Sequence, residues 1–242
     1  MNTEIPPYFD EIFLRWFQKK TENVWKSYQT ATFEDYKIAR IGGSSWQRGT
    51  RWLRGLSKQE ITTIEQNFQV VFPPDYSLFL QILHSVDRPR AGARFDKGTM
   101  IPQIVPSFYH WQKDVESIHS MSQWITDGIV FDIQHNGLWP QSWGEKPDSL
   151  EEQILQLHRL IETAPKVIPI YGHRYLLIEP CQEGNPILSI YQSDIIIYGV
   201  NLHDYFLREF GGLIGIEYPH NPSMTREQYM EYQNIPFWGD FL

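Results

Sequence analysis

The sequence predicts an α+β protein in which a central antiparallel meander sheet packs against flanking helices. Three observations predict this class: two helix starts marked by capping sequences, four closely spaced apolar segments, and an amphipathic helix that closes the domain. The connections between the four apolar segments are short, whereas a parallel crossover needs a dozen or more residues, so neighbouring strands must run antiparallel. We therefore expect a main domain at 55–212, a helical arm and connecting segment at 1–54, and a docked aromatic tail at 213–242.

The N-terminal arm at 8–28 is predicted to be a helix with one strongly apolar face. The apolar residues at helical spacing are Phe9, Ile12, Phe13, Trp16, Phe17, Val24 and Trp25. Such a face must be covered, either by the main domain or by a second subunit in a homodimer. The helical spacing of apolar residues ends before 30–56. We expect this range to be a connecting segment whose Trp46 and Trp52 lie against the body of the protein.

Two short helices are predicted next. Ser57 and Glu60 form a capping box, and Pro74 stands where a first helical residue is expected. The charged stretch 88–98 is then expected to be a loop. A strand at 101–105 follows, which Pro102 and Pro106 restrict to an edge or an irregular piece.

The middle of the chain predicts a helix at 114–124, a short apolar strand at 129–133 and an irregular Trp-, Gly- and Pro-rich segment at 135–144. Ser149 and Glu152 form a second capping box that opens another helix.

The last third of the chain carries the predicted sheet, which is bounded by turn residues. The expected strands are 167–170, 175–179, 187–191 and 195–198. Asn201 is expected to cap the closing helix, and Gly211 and Gly212 end it. The aromatic tail is expected to hold a short helix near 226–232 and to dock on the domain.

Composition excludes several classes of function. The formal net charge of −8 argues against nucleic acid as a partner, because such binding depends on clustered Lys and Arg. The chain also lacks an apolar run of the roughly 20 residues that a membrane span requires. A single cysteine, Cys181, and an acidic start without the features of a signal peptide predict a cytoplasmic location.

The order of elements over 55–210 resembles the SUKH superfamily, which includes a fungal regulator of cell-wall synthesis and bacterial immunity proteins. The matching residues are Leu56-Ser57, Glu60-Ile61, Glu65, Phe72-Pro73, Asp75-Tyr76 and Phe79-Leu80. The chain departs from the family after its second helix, where His84-Ser85-Val86 replaces a frequent Asn-Gly pair. The resemblance implies a binding scaffold and supplies no catalytic residues, and fold likeness alone does not establish function.

Few residues have side chains suited to catalysis or metal binding. Asp132, His135 and His173 have the side chains of a divalent metal site, although a structural hydrogen bond explains the first two equally well. Cys181 lacks a neighbouring base, and Gly42-Gly43-Ser44-Ser45 lacks the ending of a phosphate-binding loop. No cofactor is expected.

A concave binding surface is the more specific hypothesis, because Trp, Tyr and Arg are the usual anchors of protein interfaces. Its expected residues are His135, Asn136, Trp139, Trp143, His173, Arg174, Tyr191, Asp194 and Tyr198. The alternative is that Trp139 and Trp143 fill the core beneath a loop.

The leading functional hypothesis is a non-enzymatic protein-interaction module, most concretely an immunity protein that binds and neutralises a cognate toxin. One alternative is a small-ligand-binding protein or hydrolase with a Trp-lined pocket. Another is a regulatory scaffold related to the control of cell-wall synthesis, which rests on the resemblance alone.

Overall fold

The computed structural model describes residues 4–105, 107–219 and 221–242, so the expectation for Pro106 lies outside the described residues. The described residues form an α+β protein with two open antiparallel sheets, which confirms the predicted class. The chain divides into two compact units. Unit 1 comprises 1–113 and 209–218, and unit 2 comprises 114–208 and 219–242.

This division differs from the domain bounds that the sequence suggested. The sequence grouped the capped helix pair with the four later strands, whereas these elements belong to different units. The physical reason is that the unit of the helix pair contains a second sheet, in which the strand predicted at 101–105 pairs with residues that the sequence pattern assigned to a loop.

The elements of unit 1 and their bounds are α1 Glu11–Lys26, α2 Phe33–Ala39, β1 Gly43–Ser45, α3 Lys58–Phe68, α4 Pro74–Ile82, β2 Arg90–Asp96 and β3 Thr99–Val105. The sheet has the order β1-β2-β3, so β3 is an edge strand and accommodates Pro102 as predicted.

Two segments of unit 1 correct the sequence-based expectations. The expected connecting segment contains α2 and β1, and the expected charged loop contains β2. Ala91, Gly92 and Ala93 lie at the centre of β2, and these small residues are depleted in strands, so the pattern predicts no strand. The close pairing itself requires Gly92, because a Cβ there would lie 2.0 Å from the carbonyl oxygen of Gly43.

The apolar face of α1 is covered within unit 1. Phe13, Phe17 and Trp25 are fully buried. Trp52 packs between Phe17 and Trp25, with ring centroids 6.0 and 5.9 Å away, and its indole N–H donates to the hydroxyl of Thr21 at 2.9 Å. These residues of the arm therefore pack within unit 1, whereas Ile12 of the predicted apolar face is 70% exposed.

The capping box of α3 forms as predicted. The Ser57 hydroxyl accepts from the backbone N–H of Glu60, and the Glu60 carboxylate accepts from the N–H of Ser57 at 2.7 Å. Arg54 donates to both oxygens of the same carboxylate, at 2.7 and 3.2 Å. These donors, with Arg54 the largest contributor, lower the pKa of Glu60 to about 2.

The elements of unit 2 and their bounds are α5 Val115–Asn136, α6 Leu150–Thr163, β4 Val167–Tyr171, β5 Arg174–Leu177, β6 Ile187–Tyr191, β7 Asp194–Gly199, α7 Leu202–Phe210 and α8 Arg226–Gln233, with α7 leaving unit 2 after Arg208. The strands form an antiparallel meander in the order β4-β5-β6-β7, which confirms the four predicted strands. Asn201 accepts from the N–H of Asp204 and so caps α7 as predicted.

The predicted strand at 129–133 is wrong, because these residues continue α5 to Asn136. Ile125, Ile129 and Ile133 recur every four residues and are buried on one helix face. A short apolar run does not distinguish a buried strand from a buried helix, which is why the pattern misled. At α6 only one half of the second capping box forms, since Ser149 accepts from the N–H of Glu152 while the Glu152 carboxylate accepts from the Ser149 hydroxyl instead.

The core of unit 2 lies between α5, α6, the sheet and the C-terminal tail. Phe237 and Trp238 are buried in this core with Leu157, Tyr175 and Leu188, so the end of the aromatic tail packs within unit 2. In the described ranges, no helix combines the length and the hydropathy that crossing a membrane requires.

The Glu60 interactions predict a titration outside the ordinary range. We expect the carboxyl resonance of Glu60 in a pH-dependent NMR series to report a pKa of about 2, and Arg54→Ala to move it towards 4.5. Because the folded-state pKa is depressed, the stabilisation by Glu60 is present above the unfolded pKa and is lost as pH falls through about 2. An unchanged Glu60 pKa in Arg54→Ala would show that Ser57 alone sets it.

Candidate functional site

The structure separates the nine predicted surface residues into three groups. His173, Arg174 and Tyr198 lie together on one face of the four-stranded sheet. Tyr191 and Asp194 flank the β6–β7 turn, and His135 and Asn136 end α5 beside that turn. Trp139 and Trp143 pack with the C-terminal tail.

Arg174 is the centre of the first group. Its guanidinium carbon lies 3.7 Å from the ring centroid of Tyr198, which is a cation–π stack. The same guanidinium donates to the hydroxyl of Ser189 at 2.8 Å and contacts Nε2 of His173. Stacked and hydrogen-bonded in this way, the Arg174 side chain is held in one orientation.

His173 is neutral in this arrangement. Partial burial of the ring and the neighbouring charge of Arg174 lower the pKa of His173 below its ordinary value. Since a guanidinium only donates hydrogen bonds, Nε2 of His173 accepts and the ring proton resides on Nδ1. The cluster thus presents one cation, on Arg174.

Strand register explains why these side chains share a face. Arg174 pairs with Ser189, and Ser189 pairs with Ile196, so the three form a row across β5, β6 and β7. Tyr198 follows two residues after Ile196 on the same face. We call His173, Arg174, Ser189, Ile196 and Tyr198 the Arg174 surface; its apolar member, Ile196, is half exposed.

Sequence reasoning missed Ser189 and Ile196. The signal that identifies them is the period-two alternation along β6 and β7, once the strands are placed in register. Register depends on turn geometry and is not readable from composition, so the omission has a structural cause.

The β6–β7 turn is held against α5 by contacts that lie along one helix face. Trp124 packs edge-on against Tyr191, with ring centroids 5.4 Å apart. One turn on, Gly128 approaches the turn so closely that a Cβ would lie 3.0 Å from the Cα of Gln192. One further turn on, Asp132 accepts from both the N–H and the hydroxyl of Ser193, at 2.9 and 2.6 Å.

These bonds assign a structural role to Asp132. Its second oxygen accepts from the side-chain amide of Asn136 at 2.6 Å. Burial would raise the pKa of Asp132, but the hydrogen bonds from Ser193 and Asn136 outweigh it and hold the pKa below the ordinary value. His135 is exposed with its ring 4.4 Å from that of Phe131. In the described part of the chain, Asp132, His135 and His173 form no metal-binding cluster of three.

Trp143 belongs to the core. It is 4% exposed, stacks on Phe237 at a centroid distance of 5.7 Å, and its indole N–H donates to Asp240 at 2.8 Å. The partly buried Trp139 packs edge-on against Trp143 and donates to the carbonyl of Gly144. The alternative in which these residues fill the core therefore describes Trp143, and the expected surface loses that member.

Fold and site together define an α+β protein whose candidate site is a preorganised sheet surface. No protein-family model, curated protein or solved structure matches the chain.

The burial of Trp143 predicts a large loss of stability on truncation. We expect Trp143→Ala to lower the free energy of unfolding by about 3–5 kcal/mol, because a large buried side chain leaves a cavity. Trp139→Ala, which removes a partly exposed ring from the same segment, serves as the matched control and costs less. Chemical denaturation of both variants measures the difference, and equal costs would contradict the core assignment.

The Asp132 bonds predict a second destabilisation. We expect Asp132→Ala to cost about 2 kcal/mol of unfolding free energy, since the N–H of Ser193 then loses its charged acceptor. Asp127→Ala on an exposed position of the same helix is the control and should be nearly neutral. Urea denaturation followed by circular dichroism tests both, and a neutral Asp132→Ala would remove Asp132 as the anchor of the turn.

Proposed function

We propose that this chain is a non-enzymatic protein-interaction module that binds its protein partner through the Arg174 surface. In its most concrete form it is an immunity protein that binds and neutralises a cognate toxin in the cytoplasm. The observation that carries the proposal is the guanidinium of Arg174 stacked 3.7 Å above Tyr198 and bonded to Ser189.

Such an arrangement suits a protein interface for an energetic reason. Arg and Tyr are enriched among the residues that dominate binding energies. Association normally costs free energy to immobilise a long side chain, and Arg174 is already immobilised by Tyr198 and Ser189. The half-exposed Ile196 adds apolar area that a partner would bury.

Charge indicates the chemistry of the partner. Unit 2 carries 16 Asp and Glu residues against 6 Lys and Arg residues, whereas unit 1 carries 13 against 15. The acidic excess of the chain thus belongs wholly to the unit that bears the Arg174 surface. A negative field steers a cationic partner and speeds its association, and a toxin domain with a basic substrate-binding face is such a partner.

The alternatives receive less support. The hydrolase hypothesis relied on a Trp-lined pocket, but Trp143 is committed to the core and bonded to Asp240. A regulatory scaffold would use the same Arg174 surface with a partner that is not toxic. The resemblance to the SUKH superfamily is compatible with both of the interaction proposals.

The experiment is affinity capture from the native lysate, followed by binding measurements with the purified partner. We expect Arg174→Ala to weaken binding at least about tenfold, the effect of losing an interface anchor. Arg159→Ala, an exposed arginine on α6 of the same unit, is the matched control and should leave affinity unchanged. The association rate should fall with added salt if the field of unit 2 steers the partner.

The outcome also distinguishes the two kinds of partner. A captured protein that is toxic when expressed alone, and harmless when co-expressed with this chain, supports immunity. A non-toxic partner that loses affinity in Arg174→Ala supports the scaffold. A partner bound equally by wild type and by a folded Arg174→Ala variant would sink the proposed surface.

A further inference from the structure

Unit 1 contains a small pocket that the proposed function does not use. Its volume is about 170 Å³, and its lining includes Arg54, Leu56, His84, His110, Gln112 and Lys113. Apart from leucine side chains, the lining side chains all carry N–H groups. Among the described residues no carboxylate lines it, and the nearby Glu60 is engaged by Arg54 and Ser57.

His84 is the unusual residue of this pocket. It is 2% exposed, and within the described ranges its buried Nε2 has no hydrogen-bond partner. A buried polar atom without a partner loses its hydrogen bonds to water without replacement, so native proteins keep few of them. His84 is also where the chain departs from the family it resembles, in place of the Asn-Gly pair.

The backbone at His84 adds a second cost. It adopts φ 59°, a left-handed conformation that L-residues with a Cβ rarely enter. The neighbouring Ser85 fixes this conformation, because its hydroxyl donates to the carbonyl of Phe108 and its own carbonyl accepts from Leu53. The strained histidine is therefore held in place by its surroundings.

The charged groups around His84 favour a negatively charged ligand in this pocket. The rings of His84 and His110 meet edge to face at 4.4 Å. Burial, followed by His110, Arg54 and Lys113, lowers the pKa of His84 to about 3, with Glu60 acting in the opposite direction. His84 is thus neutral at physiological pH, and it is surrounded by groups that disfavour a further positive charge.

We propose that this pocket binds a small oxyanion, a carboxylate or phosphate group, which accepts a hydrogen bond from the imidazole of His84. Lys113 and the amide of Gln112 supply further donors on the pocket wall, and Leu56 supplies apolar contact. The volume limits the bound part of the ligand to a group of a few heavy atoms. This site belongs to unit 1, and the proposal for it does not depend on the Arg174 surface.

The test titrates the full chain with inorganic phosphate and, separately, with acetate, at constant ionic strength held by chloride. The ring resonances of His84 are followed by NMR. We expect saturable one-to-one binding that shifts these resonances and raises the pKa of His84 above its value of about 3, because an anion favours the protonated imidazole. Saturation by phosphate alone indicates a phosphate-bearing ligand, by acetate alone a carboxylate, and by both a site that accepts either group.

Variants separate the pocket from general charge effects. His84→Asn retains a residue that tolerates the left-handed conformation, and we expect at least about tenfold weaker binding from the loss of a charge-assisted hydrogen bond. Lys113→Met should weaken binding similarly, whereas Lys97→Met, in the β2–β3 turn, is the matched control and should not.

Two results would overturn the proposal, and the first needs only the wild-type protein. One is the absence of saturation, or of any shift of the His84 ring, up to about 20 mM of either anion, a range that would expose even millimolar affinity. The other is equal weakening by Lys97→Met and Lys113→Met, which would show nonspecific attraction.

Discussion

The buried carboxylate of Asp132 is the constraint on which the geometry of unit 2 depends. It joins α5 to the β6–β7 turn through two hydrogen bonds from Ser193, and a third, from Asn136 within α5, satisfies its other oxygen. A buried charge is tolerated only when its oxygens are satisfied, so this carboxylate admits one position of the helix on the sheet. The turn that it holds fixes the register of β6 and β7, and with it the row Arg174–Ser189–Ile196. The candidate surface therefore depends on the polar contact between Asp132 and the β6–β7 turn.

Aromatic side chains organise each core around a tryptophan with a satisfied N–H. In unit 1, Trp52 contacts rings from α1 and α4 and donates to the buried hydroxyl of Thr21. In unit 2, Trp143 contacts the tail and donates to Asp240. A buried indole gives large apolar area, and its N–H usually finds one hydrogen-bond acceptor, so Trp52 and Trp143 each fix both an apolar contact and a polar neighbour. Trp52 and Trp143 are in this sense folding determinants before they are binding residues.

How far the sequence predicts this structure depends on whether a signal is local. The capping box at Ser57, the turns between β4 and β7 and the tail helix are encoded in neighbouring residues, and they form as expected. Strand β2 is not predictable in this way, because Ala91-Gly92-Ala93 pairs only when β1 and β3 are already present. The same difference between local and distant signals separates the predictable residues of the candidate site from the others. Arg174 and Tyr198 are recognisable by residue type, but the burial of Trp143 depends on a tail almost a hundred residues away.

Charge gives the two units different chemical characters. Unit 2 holds ten more acidic than basic residues, yet the centre of its candidate surface is the cation Arg174. A long-range negative field acts on the approach of a partner, whereas a single fixed guanidinium acts only at contact, where it can pair with one carboxylate. The combination favours a partner that is basic overall and presents an acidic or carbonyl group at the docking point.

Unit 1, with two more basic than acidic residues, instead concentrates donors around a histidine that burial keeps neutral. Under the two proposals, the steering of a protein partner belongs to unit 2 and the recognition of an anion to unit 1, and each is argued from where the sequence places its charges.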